Sequence, residues 1–349
     1  MAGATIKDVA ALAGVSIATV SNVFSLRKPV SPDIVQRVED AANTLGYRKN
    51  MAASQLRTGR TRVLGVLVPS LTDTFFASLV SELERIAAEE DYQVLIASSR
   101  DDPRHEVAQL SALLGWRPSG IIAVPCTNDL PANLRQEFGR LPMVLVDRVG
   151  QDDLPVDTVV VDNYAAGRAA AAHLLDHEHR DIVIAVSVAS IRPISERIRG
   201  IVDICRVRTG TAPRIVEIGS RAEEGGEALR QWFAANPVPS AVIAVTNVTT
   251  LAALTAFAQT RMEVPRAVSL VGFDDYPWMT ARKVPLSAIR QPITEIAQAS
   301  WDCLMARIDG SAAPAARIIL DAPLNCRNSV AKPAQGLASV AHSGTETSL

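Results

Sequence analysis

From Val63 onward, short apolar runs recur along the chain with helix-compatible stretches between most of them. They are VLGVLV (63–68), VLIA (94–97), GIIAV (120–124), MVLVD (143–147), TVVV (158–161), DIVIAV (181–186), AVIAV (241–245) and VSLVGF (268–273). Short runs this free of polar residues suit strands covered on both faces, since a half-exposed strand would alternate. Strands alternating with helices predict right-handed βαβ units and parallel sheets. Two sets of runs predict two similar lobes, with ligands at the carboxyl ends of the strands. The expected binding site is a cleft between the lobes that closes by hinge motion.

Ahead of this α/β body lies a segment of different character. Residues 1–62 carry nine Lys/Arg against four acids, a charge of +5, while the rest carries 26 against 33, or −7. A basic head on an acidic body suits a segment that meets a polyanion. In TIKDVAALAG, Thr5 and Asp8 are spaced as a capping box, Ile6, Val9, Ala10 and Ala13 share a face, and Gly14 can end the helix. A three-residue connection leads to SIATVSNVF, with Ser16 as N-cap and Val20, Val23 and Phe24 facing inward. SPDIVQRVEDAANTLGY supplies a third helix, with Ser31 as cap, Pro32 in the first turn and Gly46 at the stop. Two short helices joined by a glycine-containing turn and braced by a third predict a helix-turn-helix.

The string TIKDVAALAGVSIATVSNVF, followed by LGY and NMAASQLRTGRT, resembles the DNA-binding head of the lactose-repressor/galactose-repressor family of bacterial transcription regulators. The resemblance extends to about residue 330 and implies a sequence-specific regulator, a repressor, with a periplasmic-binding-protein-like body. The second helix would enter the major groove with Ile17, Ala18 and Asn22 at the specificity positions. Asn22 can pair bidentately with adenine, whereas Ile17 and Ala18 offer only apolar contact such as with a thymine methyl. Ser16, Thr19 and Ser21 suit phosphate oxygens, which fix register without reading sequence, and Thr5 completes the head's contact set. The stretch Asn50 to Gln55 resembles the family's hinge helix, too short to stand alone in water. It would fold when two copies meet in the minor groove, with Leu56 as the apolar wedge and Asn50, Ala53 and Arg57 along the backbone or groove floor. Two departures stand out: Lys49 where the family has proline, and Ser54 where it often has arginine.

In the body the resemblance implies an effector site built from Asp73, Phe75 and Phe76 (PSLTDTFF), Asp101 (ASSRDD), Asp147 and Arg148 (VLVDR), Arg197 (SERIRG), Asn247, Asp274 (VGFDD) and Gln291 (IRQP). Arginines can donate in planar forks to hydroxyls or a carboxylate, aspartates can accept from vicinal hydroxyls, and phenylalanines offer faces to a ring. Ile191, Arg192 and Pro193 are further candidates. After AVIAV the family has Asn-Asp, and this chain has Asn247-Val248; the lost carboxylate and the two arginines favour a less hydroxylated or anionic effector over an ordinary sugar.

The expected division is residues 1–48 as helix-turn-helix, 49–62 as hinge helix and linker, 63–330 as effector-binding and dimerisation body, and 331–349 as disordered tail. Within the body, lobe one is expected to take 63–161 and 292–317, and lobe two 162–291 and 318–330. Expected partners are a palindromic double-stranded operator, a small polar effector such as a sugar or sugar derivative, and a second copy in a homodimer. Cys126, Cys205, Cys303 and Cys326 lie far apart without a CxxC pair, as reduced cytoplasmic thiols would. No apolar run reaches the ~18 residues of a membrane helix. No phosphate loop, dinucleotide fingerprint or nucleophile elbow is present, so neither an enzyme nor a cofactor is expected. His173 and His177 are four apart, but no third ligand accompanies them, so no metal is expected. The alternative is a stand-alone small-molecule binding protein of the same fold with no DNA role, which would lack residues 1–62 and carry a secretion signal. Replacing the wedge tests the hinge reading: Leu56→Ala should weaken binding to a specific operator far more than to random duplex in an anisotropy titration. Equal losses would remove that role.

Overall fold

The computed structural model describes residues 4–25, 29–47 and 61–333, within two compact units, Met1–Thr61 and Arg62–Leu349. In the first unit, α1 (Ile6–Ala13) begins with the expected box, the Thr5 N–H and hydroxyl donating to Asp8 Oδ2 at 2.8 and 2.7 Å. It stops at Gly14, whose φ of +64° lets the Val15 N–H reach back to the Ala10 carbonyl at 3.0 Å. Helix α2 (Ile17–Ser25) follows at 104° to α1, and α3 (Pro32–Thr44) braces both. Val9, Val20 and Val38 are fully buried where the three meet, with Ala10, Ala13, Val23, Ala41 and Ala42 around them. Arg37 of α3 donates to the carbonyls of Ala13 and Gly14, pinning the turn between α1 and α2.

The second unit holds two six-stranded sheets. Sheet one contains β1 (Val63–Val68), β2 (Gln93–Ser98), β3 (Gly120–Ala123), β4 (Met143–Val146), β5 (Asp157–Val161) and β11 (Arg317–Leu320), in the order β11-β5-β4-β3-β1-β2. Sheet two contains β6 (Ile182–Val186), β7 (Arg214–Glu217), β8 (Ala241–Ala244), β9 (Ser269–Phe273), β10 (Ser287–Ile289) and β12 (Leu324–Asn325), in the order β12-β10-β9-β8-β6-β7. Every pair is parallel except β10 with β12. The helices are α4 (Thr74–Glu89), α5 (Pro103–Gly115), α6 (Ala132–Gln136), α7 (Asn163–Asp176), α8 (Arg192–Thr209), α9 (Ala222–Ala235), α10 (Asn247–Thr260), α11 (Pro277–Thr280) and α12 (Ile293–Ile308). The chain crosses between sheets after β5, after β10 and after β11. Because β11 pairs with β5 from Arg317 to Leu320, residues 318–320 belong to the first lobe, which corrects the boundary expected at 317.

Four strands lie outside the apolar runs. β7 alternates half-buried and exposed residues as an edge strand, β11 is the opposite kind of edge with Ile319 exposed, and β10 and β12 span only three and two residues. The C-terminal stretch is also ordered further than expected. His179, almost fully buried, bonds the Ser240 and Ser269 hydroxyls and the Ala331 carbonyl, and Lys332 pairs with Glu178, so 331–333 is structure rather than tail.

Helices α7 and α8 make the closest approach in the second lobe. A methyl on Gly167 would sit 2.2 Å from the Arg197 carbonyl oxygen, and one on Gly200 would sit 2.2 Å from that of Tyr164. This reciprocal contact brings the α8 backbone inward and buries Arg197 at 3% exposure. Gly200→Ala is therefore expected to destabilise the body by about 1–3 kcal/mol through overpacking, read by urea unfolding.

Candidate functional site

In the head, Ile17 and Ala18 at the start of α2 are exposed, Ile17 at 42%. Thr19, Ser21 and Asn22 are half-buried on the same helix. Ser16 caps it, its hydroxyl accepting from the Thr19 N–H at 3.0 Å and lying 2.8 Å from the Thr19 hydroxyl. The Thr5 hydroxyl is likewise committed, donating to Asp8. An exposed helix start with two apolar side chains suits the edge of a DNA groove. Asn50, Ala53, Leu56 and Arg57 lie outside the described residues.

In the body, the carboxyl ends of the strands bring side chains from both lobes around a cavity of about 370 Å³. Nine of the ten residues expected there line it: Asp73, Phe75, Phe76, Asp147, Arg148, Arg197, Asn247, Asp274 and Gln291. Ile191 and Pro193, left unranked from sequence, line it too, with Ile194 and Thr246, which were not foreseen. Thr246 follows AVIAV directly and caps α10, which is the signal that could have found it. Asp101 is the exception. Its carboxylate turns away to receive the Arg148 guanidinium at 2.5 Å, so its part is to hold that arginine.

Asp73 caps α4, accepting from the Phe75 N–H at 2.9 Å, which places Phe75 and Phe76 edge-to-face 5.2 Å apart in the cavity wall. Arg148 donates also to the Cys126 carbonyl at 3.0 Å and lies 5.1 Å from the centre of the Phe76 ring. Behind it, buried Glu106 accepts from the Cys126 N–H at 2.8 Å; burial and this carboxyl push the Cys126 thiol up to about 12. Arg197 donates to Asn163 Oδ1 at 2.8 Å and to the Val245 carbonyl at 2.6 Å while stacking 4.6 Å from Phe273. Neither arginine is thus a free cation awaiting an anion, and the sequence argument for an anionic effector from these two residues loses force.

Two side-chain amides join the lobes: Asn128 of lobe one donates through Nδ2 to the Ser190 carbonyl at 2.6 Å and accepts from the Arg192 N–H at 2.9 Å, and Asn247 spans the cleft. Asn247 Nδ2 donates to Asp73 Oδ1 in lobe one and to Asp274 Oδ2 in lobe two, both at 3.0 Å. Asp274 also receives the Asn247 N–H at 2.8 Å and Gln291 Nε2 at 2.5 Å. The other end of that amide, Gln291 Oε1, is buried with no hydrogen-bond partner. The unsatisfied acceptor, together with the aspartates, calls for a ligand that donates hydrogen bonds, as hydroxyls do.

No group of three His, Cys, Asp or Glu among the described residues could hold a metal ion. His177 Nδ1 bonds the His173 carbonyl one turn back at 2.8 Å, an ordinary intrahelical use of the pair. No single helix among the described residues is long and apolar enough to cross a membrane.

Residues 5–50 match the lacI family of bacterial regulatory proteins and residues 171–330 a periplasmic binding protein-like domain. The chain is 30% identical over 329 residues to the HTH-type transcriptional regulator PtxS of Pseudomonas plecoglossicida, covering 93% of this chain and 95% of that one. It is 28% identical over 311 residues to the ribose operon repressor of Escherichia coli K12, covering 87% and 93%. Among solved structures, the lac repressor dimer bound to operator and the anti-inducer ONPF superposes with a TM-score of 0.82 at 25% identity, over 95% of this chain and 100% of that one.

The electrostatics of the cavity carry a pH signature. Burial raises the Asp147 carboxyl above the ordinary carboxylate range, against the pull of Arg197 and Arg148, and Asp274 and Asp73 push the same way as burial. Burial, then the neighbouring Asp274, likewise raises Asp73. A raised folded-state value means that the stability this group contributes is present at acid pH and lost as pH rises through that value. Asp147→Asn keeps a residue type that tolerates the φ of +61° found there. It should raise unfolding free energy at neutral pH, with the gap closing toward about pH 3.5, in urea titrations at the two pH values.

Proposed function

The chain belongs to the lacI family of bacterial regulatory proteins and is a DNA-binding transcription regulator rather than an enzyme; we propose that it is a homodimeric cytoplasmic repressor whose hold on a palindromic operator is set by a small hydroxylated effector in the cleft. The observation that carries the effector reading is the Asp73–Asn247–Asp274 bridge. The same polar atoms that would receive a ligand hold the lobes together, so a ligand entering the cleft must replace or extend that bridge. An effector with different affinity for the two lobe arrangements shifts their balance, and one with equal affinity shifts nothing. In this reading Asp73, Asp147, Asp274 and Gln291 Oε1 accept from ligand hydroxyls, Arg148 and Arg197 donate with their remaining N–H groups, and Phe75 and Phe76 flank the ring. Lobe rearrangement then alters the spacing of the two first lobes in the dimer and, with it, whether paired hinge segments can fold on DNA.

In the head, Asn22 reads adenine, Ile17 and Ala18 meet base edges, and Ser16, Thr19 and Ser21 lie along phosphates, with Thr5 beside them. A stand-alone binding role is disfavoured by the exposed start of α2 and by the match of residues 5–50. The test couples both halves. Sugars, sugar acids and purines are screened by thermal shift on the full chain, because a ligand that binds only the folded state raises its melting temperature. A stabilising ligand is expected to change affinity for a selected palindromic duplex at least tenfold, and Asn22→Ala to cost about 1–3 kcal/mol on that duplex only. Ligands that stabilise the chain yet leave operator affinity untouched would refute the effector-gated reading.

A further inference from the structure

Beside the cleft lies a smaller cavity of about 190 Å³ that shares Asp147 and Pro193 with it. Two guanidiniums line it from opposite lobes, Arg192 at the start of α8 and Arg317 on edge strand β11. Both grip one oxygen of Asp152: Arg192 Nη2 lies 2.5 Å from Asp152 Oδ1 and Arg317 Nη1 lies 2.9 Å from it. The fit is incomplete. Arg317 Nη1 is buried and within ion-pair distance, but its N–H is off-line and makes no hydrogen bond. The Asp152 side chain is 61% exposed, whereas the two arginines are 21% and 26% exposed. Glu196, which accepts from Arg192 Nε at 3.0 Å, is the other charged acid in the wall, and Asp147 is pushed toward its neutral form by burial.

We propose that Arg192 and Arg317 form an oxyanion subsite at the edge of the effector cleft, and that Asp152 is an internal stand-in which an effector oxyanion displaces. The proposal rests on the reading of the cleft as an effector site and adds that the effector carries a carboxylate or a phosphate. Asp152 is poorly suited to be a permanent partner: it is mostly in water, uses one oxygen, and leaves a buried donor unmatched. A carboxylate or phosphate could accept from both guanidiniums with separate oxygens, as charge-assisted pairs prefer. The main cavity is poorly suited to that group, because its arginines, Arg148 and Arg197, already donate to acceptors inside the protein. The ligand is thereby oriented, hydroxyls toward the aspartates and oxyanion toward Arg192 and Arg317. Tethering to a head group bound in the main cavity raises the oxyanion's effective concentration over that of free anions, which lets it displace Asp152. Since the arginines come from different lobes, the oxyanion would hold the lobes together as Asp152 does.

The test uses the full chain and inorganic phosphate as probe, by calorimetric titration at constant ionic strength. Asp152→Asn is expected to bind phosphate at least tenfold more tightly than the parent, and adding Arg317→Gln should erase the gain. Asp152→Ser repeats the measurement should the first variant fold poorly. No gain in either variant, or a gain that survives Arg317→Gln, overturns the subsite. Glucose, gluconate and glucose 6-phosphate then separate the sources: the compound most strengthened over glucose by Asp152→Asn identifies carboxylate or phosphate. Equal effects on all three overturn the effector role. If a ligand still changes operator affinity while phosphate ignores Asp152→Asn, the subsite fails and the cleft reading stands. If phosphate behaves as expected but no cleft ligand changes operator affinity, the reverse holds.

Discussion

The Asn247 amide ties the two lobes together across the floor of the cleft. It donates to a carboxylate in each lobe, and hydrogen bonds to charged groups are worth about 1.5–3 kcal/mol when their partners are held in place. Asp73 is held by capping α4, and Asp274 by the Asn247 N–H and Gln291. Asn247 itself is fixed as the first residue of α10, behind the N-cap Thr246 and a strand whose residues are all buried. Each end of the bridge is therefore anchored in the rigid part of its own lobe, and movement of one lobe against the other must stretch or break it. A contact of this strength can hold the lobes together and still yield to a ligand that offers comparable hydrogen bonds.

The two sheets repeat one plan, and the repetition explains where the acids stand. Read in order, β4 of the first sheet occupies the position of β9 in the second. Asp147 follows β4 and Asp274 follows β9, and both have positive φ, +61° and +79°. Aspartate is among the few non-glycine residues that adopt this region readily. The abrupt turn at each strand end aims the carboxylate into the cavity instead of along the strand. By the same correspondence β1 matches β6, so Asp73 and the phenylalanines of one lobe are answered by Ile191, Pro193 and Ile194 of the other. Local strain at such positions persists only where the surrounding packing enforces it, and here buried strands on both sides do so.

What the sequence made legible follows the same physics. Strands buried on both faces appear as apolar runs, so eight of the twelve were readable; the edge strands RIVE and RIIL, each with exposed residues, and the two- and three-residue strands were not. The helices of the head were legible because their local residues mark the starts, Thr5, Ser16 and Ser31, and the stops of α1 and α3, Gly14 and Gly46, although Ser31 makes no side-chain cap hydrogen bond. The cleft residues came from family resemblance, which placed backbone positions well but side-chain partners poorly. Asp101 sits where expected in the chain, yet Arg148 claims its carboxylate, a choice made by rotamers 47 residues apart. The Asp152 clasp was illegible for a related reason, as its arginines lie 40 residues after it and near the end of the second crossing back.

Charge balance in the cleft then constrains the kind of ligand it admits. Three aspartates face two arginines, and both arginines already have acceptors inside the protein. Burial lowers Arg197 against the opposing pull of Asp274, Asp147 and Asp73. In such surroundings an uncompensated extra anion would be costly, while a hydroxyl donating to a carboxylate satisfies an acceptor without adding charge. Val248, standing where the family has a carboxylate, moves the balance the other way by one charge, yet three aspartates still line the cavity. The floor of the cleft is thus selective for donors, and any negative group on a ligand is driven to the rim, where Arg192 and Arg317 are the cations within reach of the cavity wall.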